Sequence, residues 1–203
     1  MRRGTRRLAT GALDEMAIAV GRETDCRALA REILWYLRAE RSQREFARLI
    51  GCRSNTPSAW ETSRTFPSAE RLLAICDRLG IDVLWVLSDF APECACTLEG
   101  MTASALSLGA WLDALRGEAP LNAPARASGF SRHQLGRWLR GAASPSLPEF
   151  LLLVQVCSGR LDELLSKLLP PPTGPRLGEL TERRRALWRR LRETRSRGPT
   201  LRS

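Results

Sequence analysis

The strongest constraint on this chain is that it repeats itself. A shift of 78 residues without a gap sets Leu34 on Leu112, Leu37 on Leu115, Arg38 on Arg116, Ala47 on Ala125 and Gly51 on Gly129. The same shift sets Trp60 on Trp138, Pro67 on Pro145, Ser68 on Ser146, Leu73 on Leu151 and Leu87 on Leu165. Chance does not place that set in one register, and repetition at constant spacing marks one structural unit used twice. The units run over residues 26–90 and 104–169. Between them 91–103, APECACTLEGMTA, has no period and reads as a linker.

Within the first unit the apolar residues recur at helical spacing. Ile33, Leu34 and Leu37 share a stripe, with Trp35 and Tyr36 beside it, on a helix predicted over 28–40. Leu72, Leu73, Ile75 and Leu79, then Val83, Leu84, Val86 and Leu87, mark helices over 68–79 and 82–90, each opened by a capping residue. The informative stretch lies between, from Ser42 to Ser68. Ser42 and Glu45 form an S-x-x-E capping box, and Phe46, Ala47, Leu49 and Ile50 give the helix that follows an apolar face. Gly51 stands just beyond, where a left-handed turn is free of strain only for glycine. A second short helix follows at about 54–62 with Trp60 facing inward, and Pro67-Ser68 ends the loop. Two short helices held by a Gly turn read as a helix-turn-helix.

Gln43, Ala47, Gly51, Trp60-Glu61 and Pro67-Ser68, continued by Arg71-Leu72-Leu73 and Leu79-Gly80-Ile81, stand in register with the lambda-repressor-like (XRE) family. The stretch 28–87 resembles these bacterial and phage DNA-binding domains. The resemblance implies a five-helix domain whose third helix lies in the major groove. Pro57 departs from it, standing where the family usually buries Val or Ile. A proline fits a helix's first turn, so it shortens the recognition helix without forbidding it.

The second unit differs in its turn. Gly129 to Trp138, GFSRHQLGRW, carries a Ser cap and a buried Leu that the first lacks, while its preceding helix has Leu121 for Gln43 and Pro124 for Phe46. From Ala119 to Pro148 it holds Arg126, Arg132, Arg137 and Arg140 and no acid. This half has the stronger electrostatic case for DNA. The order of the two units also resembles, more loosely, bacterial regulators in which two such units precede a longer C-terminal domain. Here that domain is expected to be absent or reduced to the last helix.

The chain carries a net charge of +10 over 203 residues, unevenly spread. Residues 1–27 hold six Arg against four acids, 28–175 fifteen Arg and Lys167 against fifteen acids, and 176–203 ten Arg against three acids. The folded body is nearly neutral and the tail is basic. Residues 1–22, with Arg2, Arg3, Arg6 and Arg7, are expected to be a disordered arm: a solvated basic tail, or one that tracks the DNA backbone or minor groove. Met16 is an alternative start. After Pro170-Pro171-Pro172, segment 170–203 carries Leu177, Leu180, Leu187, Trp188 and Leu191 as a stripe on an Arg-rich helix. That stripe must be buried on this chain or on a partner, and a homodimer through it is one expectation.

No apolar run is long enough for a membrane helix, so a cytoplasmic location is expected. Six cysteines at this length make no disulfide scaffold, and Cys94-x-Cys96 with His133 as the only histidine supplies a metal poorly. Neither metal nor cofactor is expected. No catalytic constellation is present, so the chain is not read as an enzyme.

These observations predict an all-α protein of two tandem helix-turn-helix domains plus an Arg-rich C-terminal helix. Its expected function is transcriptional regulation through double-stranded DNA, read at two non-identical half-sites. The first unit would present Gln43, Arg53, Ser54, Asn55, Ser58 and Arg64, and the second Ser131, Arg132, His133, Gln134, Arg137 and Arg140. Arg to guanine and Asn to adenine are the informative pairings. If both helices lie on one face, the half-sites fall about 10 base pairs apart. The alternative is an interaction protein, an anti-repressor or assembly partner, built on the same fold without reading DNA.

Overall fold

The computed structural model describes residues 25–102, 107–169, 182, 185–190 and 192. The protein is all-α; among the described residues the one extended pairing is an isolated antiparallel bridge between Ser68 and Ser146. Helix α1 spans 25–38 and buries Leu29, Ile33, Leu34 and Leu37. It is followed by α2 (Gln43–Leu49), α3 (Thr56–Glu61), α4 (Ala69–Arg78) and α5 (Val83–Phe90). Then come α6 (Leu108–Arg116), α7 (Asn122–Ser128), α8 (Arg132–Leu139), α9 (Leu147–Ser158) and α10 (Leu161–Leu168), and residues 185–190 are also helical. The 78-residue offset of the sequence reappears in the backbone, since α10 begins and ends 78 residues after α5, and α9 begins 78 residues after α4.

Local chemistry sets the helix ends. The Ser42 hydroxyl accepts the Glu45 amide at 3.2 Å while the Ser42 amide donates to the Glu45 carboxylate at 2.8 Å, which closes the capping box. Ser68 and Asp82 accept backbone amides of Arg71 and Trp85 to open α4 and α5. Pro57 is the second residue of α3, where its missing N–H costs nothing. It starts α3 after Asn55, so the first unit's third helix has six residues against eight in α8.

The core runs through both units without a break. Trp111 is fully buried with its ring centroid 6.0 Å from Phe90 and 6.4 Å from Phe150, so one tryptophan of the second unit packs on a phenylalanine of each. Helix α9 is buried on nearly every side, with Leu147, Phe150, Leu151, Leu152, Leu153, Val154 and Val156 all inside. A helix apolar all round belongs at the centre of a fold.

The segment expected to be a bare linker is structured. Pro92–Leu98 forms a 3-10 helix that buries Cys94 and Leu98 and packs on α5 and α6. With only seven residues it is too short to establish a period of its own, and its burial depends on α6 lying over it. Of the C-terminal stripe, Leu187 is buried in the chain's own core and Trp188 is half-buried against it. Leu177, Leu180 and Leu191, like the arm over 1–22, lie outside the described residues.

Candidate nucleic-acid interface

The turn after α2 is built from both sides. Gly51 has φ +65°, and its own carbonyl and that of Ile50 accept the Arg71 guanidinium from α4 at 3.1 and 2.6 Å. These carbonyls end a helix and lack partners within it, so a cation there satisfies both the hydrogen bonds and the helix dipole. The equivalent turn after α7 uses Gly129 at φ +79°, and Ser131 then caps α8 by accepting the Gln134 amide at 3.1 Å. Behind the two helices Trp60 and Trp138 are buried, Trp138 edge-on to Phe130 at 5.0 Å.

With the buried faces pinned, the outer faces are determined. Arg53, Ser54 and Asn55 are exposed at the entry to α3, and Arg64 is exposed just past its end. Ser58 is half-buried, one turn into the helix. In the second unit Ser131, Arg132, His133, Arg137 and Arg140 are all exposed. Arg132, Arg137 and Arg140 form no ion pair among the described residues, so each keeps its full donor set for an outside anion.

Two of the expected contact residues are engaged inward. Gln43 is half-buried and donates its amide to Glu61 at 2.8 Å, and Glu61 also pairs with Arg38. Gln134 is half-buried and donates to Glu149 at 3.1 Å. Both glutamines therefore hold one element of the turn to another. The reading from sequence missed Arg48 on α2, whose counterpart 78 residues on is Arg126 on α7; both are exposed in the last turn of their helices. Their equivalence under the shift was the available signal.

No family model matches the chain, and no curated protein and no solved structure is significantly similar to it. Among the described residues no group of three His, Cys, Asp or Glu is placed to hold a metal ion. No described helix is long and apolar enough to cross a membrane.

The two outer faces differ in kind. Around α3 the donors are Arg53 and Arg64 with Ser54, Asn55 and Ser58, the last three short groups suited to hydrogen bonding at base edges and phosphates. Around α8 three Arg and a His dominate, and the half-buried Glu149 is engaged by the Ser146 amide and the Gln134 side chain.

Proposed function

We propose that this protein is a sequence-specific DNA-binding regulator of the lambda-repressor-like type, in which α3 and α8 each read one half of a bipartite site. The observation that carries this reading is the pairing of two short helices at a fixed offset. Each is entered through a positive-φ glycine turn, backed by a buried tryptophan, and faced by exposed donors. A helix so mounted is thin enough for the major groove, and its N-terminal residues are the ones positioned at base edges. Because Arg53, Ser54 and Asn55 face one half-site and Arg132, His133 and Arg137 the other, the two half-sites are unlike.

The test is selection from randomised duplex DNA by the full chain, beside Arg53→Ala/Asn55→Ala and Arg132→Ala/Arg137→Ala variants. An enriched bipartite motif, with each variant blurring a different half, is the expected result. Enrichment of no sequence, with binding that vanishes at physiological salt, would sink the proposal. A second reading, an interaction protein on this scaffold, is favoured by Trp85, which is 59% exposed on α5. Large exposed aromatics are enriched where proteins meet.

A further inference from the structure

The two units touch through like surfaces. Ser68 pairs with Ser146 in the antiparallel bridge, and these residues are 78 apart, so each meets its own counterpart. On either side the hydrogen bonds are reciprocal: Ala69 donates to the Pro145 carbonyl at 2.8 Å, and Leu147, the counterpart of Ala69, donates to the Pro67 carbonyl at 2.8 Å. The backbone at the two bridge residues has the same shape, φ −66° and ψ 160° at Ser68, φ −66° and ψ 161° at Ser146. Farther along, Lys167 forms an ion pair with Asp89, again its own counterpart. At the level of helices, α5 packs on α10 and α4 on α9, each with its equivalent.

Reciprocity of this kind has one geometric source. If residue i meets j of the other unit while j meets i, the operation relating the units returns to itself after two steps, which is a two-fold rotation. Units strung head to tail would bring unlike surfaces together.

We infer that a local dyad passing between Ser68 and Ser146 relates the two reading helices. One chain then covers the whole DNA element, with its two helices running in mirror order about the element's centre. This deepens the proposed DNA reading and rests on it. The Asp89–Lys167 pair adds a reason why the partner is within the same chain. A residue near the axis of a true homodimer faces its own copy, so two first units would set Asp89 against Asp89, whereas the fused chain sets opposite charges there.

The dyad is tested by mapping, not by sequence symmetry, because unlike half-sites hide their own orientation. A photocrosslinking amino acid is placed in turn at Asn55, Arg64, His133 and Ala142, all exposed and forming two equivalent pairs. Each full-length variant is irradiated on the selected DNA, and the crosslinked bases are located. The dyad requires the order 55, 64, 142, 133 along the duplex, or 64, 55, 133, 142, with one chain per element by mass. The order 55, 64, 133, 142 overturns the dyad while leaving the bipartite reading intact, as does a stoichiometry of two chains per element. If selection returns no DNA element, the DNA reading itself fails and takes this inference with it.

Discussion

Gln43 donates its side-chain amide to Glu61 over 2.8 Å, and the same carboxylate holds Arg38 of α1. One acid thus joins α1, α2 and α3. The Arg38 and Glu61 side chains are only 17% and 14% exposed, so the pair is poorly screened and removing one partner strands the other. Glu61→Ala should cost about 2 kcal/mol in urea unfolding, and Glu61→Gln, which keeps acceptor and shape, clearly less. Equal losses would mean that the carboxylate does not organise the turn. In the second unit the positions of Gln43 and Glu61 hold Leu121 and Leu139, both partly buried against the core.

Much of this was legible in the sequence, and the reasons are local. The capping box at Ser42, the glycine turn at Gly51 and the buried Trp60 announce themselves because each depends on residues within a few positions of one another. The 78-residue repeat likewise reappears in the helix starts of α9 and α10, which lie 78 residues after those of α4 and α5. What stayed hidden depends on distant residues. That Gln134 would turn inward to Glu149, or Arg71 reach back to Ile50, follows from how α4 and α9 cross the turn, and no spacing encodes it. The same holds for the segment after Phe90: Cys94 and Leu98 become core only because α6 lies over them.

Gly109 offers a test in which local propensity and packing have opposite signs. Glycine inside a helix normally costs about 1 kcal/mol relative to alanine, so Gly→Ala within α6 should stabilise on propensity alone. A Cβ at Gly109, however, would lie 2.7 Å from the Leu139 carbonyl oxygen and 2.8 Å from both the Trp138 oxygen and the Gly141 nitrogen. All three are backbone atoms at the end of α8 and cannot swing aside. Gly109→Ala should therefore destabilise by about 1–3 kcal/mol in chemical denaturation. A stabilised variant would show that α6 does not press so closely on α8.

The thiols and the capping box set expectations at the two ends of the pH scale. Burial pushes the Cys76 thiol from its ordinary 9.0 up to about 12, and burial likewise raises Cys94 and Cys157 to about 11. The unfolded chain then loses these protons first, so stability is full below about pH 9 and falls as pH climbs toward 12. At neutral pH, alkylation followed by mass spectrometry should mark exposed Cys96 first and Cys76 last, since the thiolate is the nucleophile. At the acid end the Ser42 hydroxyl and amide hold the Glu45 carboxyl below its ordinary 4.5. Its contribution is present above that value and is lost as pH falls through the lowered one. A Ser42→Ala variant should accordingly show a weaker acid dependence of thermal stability in this range; an unchanged profile would mean that the cap carries no such linkage.

The join between the units can be weakened at a single atom. Ala69 is the first residue of α4, a position where proline is compatible with the helix, and Ser68 before it already has the extended backbone that a following proline demands. Ala69→Pro removes the N–H that reaches the Pro145 carbonyl at 2.8 Å and leaves the helix's own hydrogen bonds intact. Without that bond the fold should be weaker by about 1 kcal/mol, which for a chain of this size lowers Tm by about 2–4 °C. Ala69 is fully buried, so Ala69→Val, which keeps the amide and adds bulk comparable to that of proline, separates the hydrogen bond from packing. Under the proposed DNA reading, with the bridge holding α3 and α8 in fixed relation, Ala69→Pro should weaken binding to a bipartite element and leave each isolated half-site unaffected, because only the effective concentration for the second half-site falls. Equal effects of Ala69→Pro and Ala69→Val would place the cause in packing and take the bridge out of the mechanism.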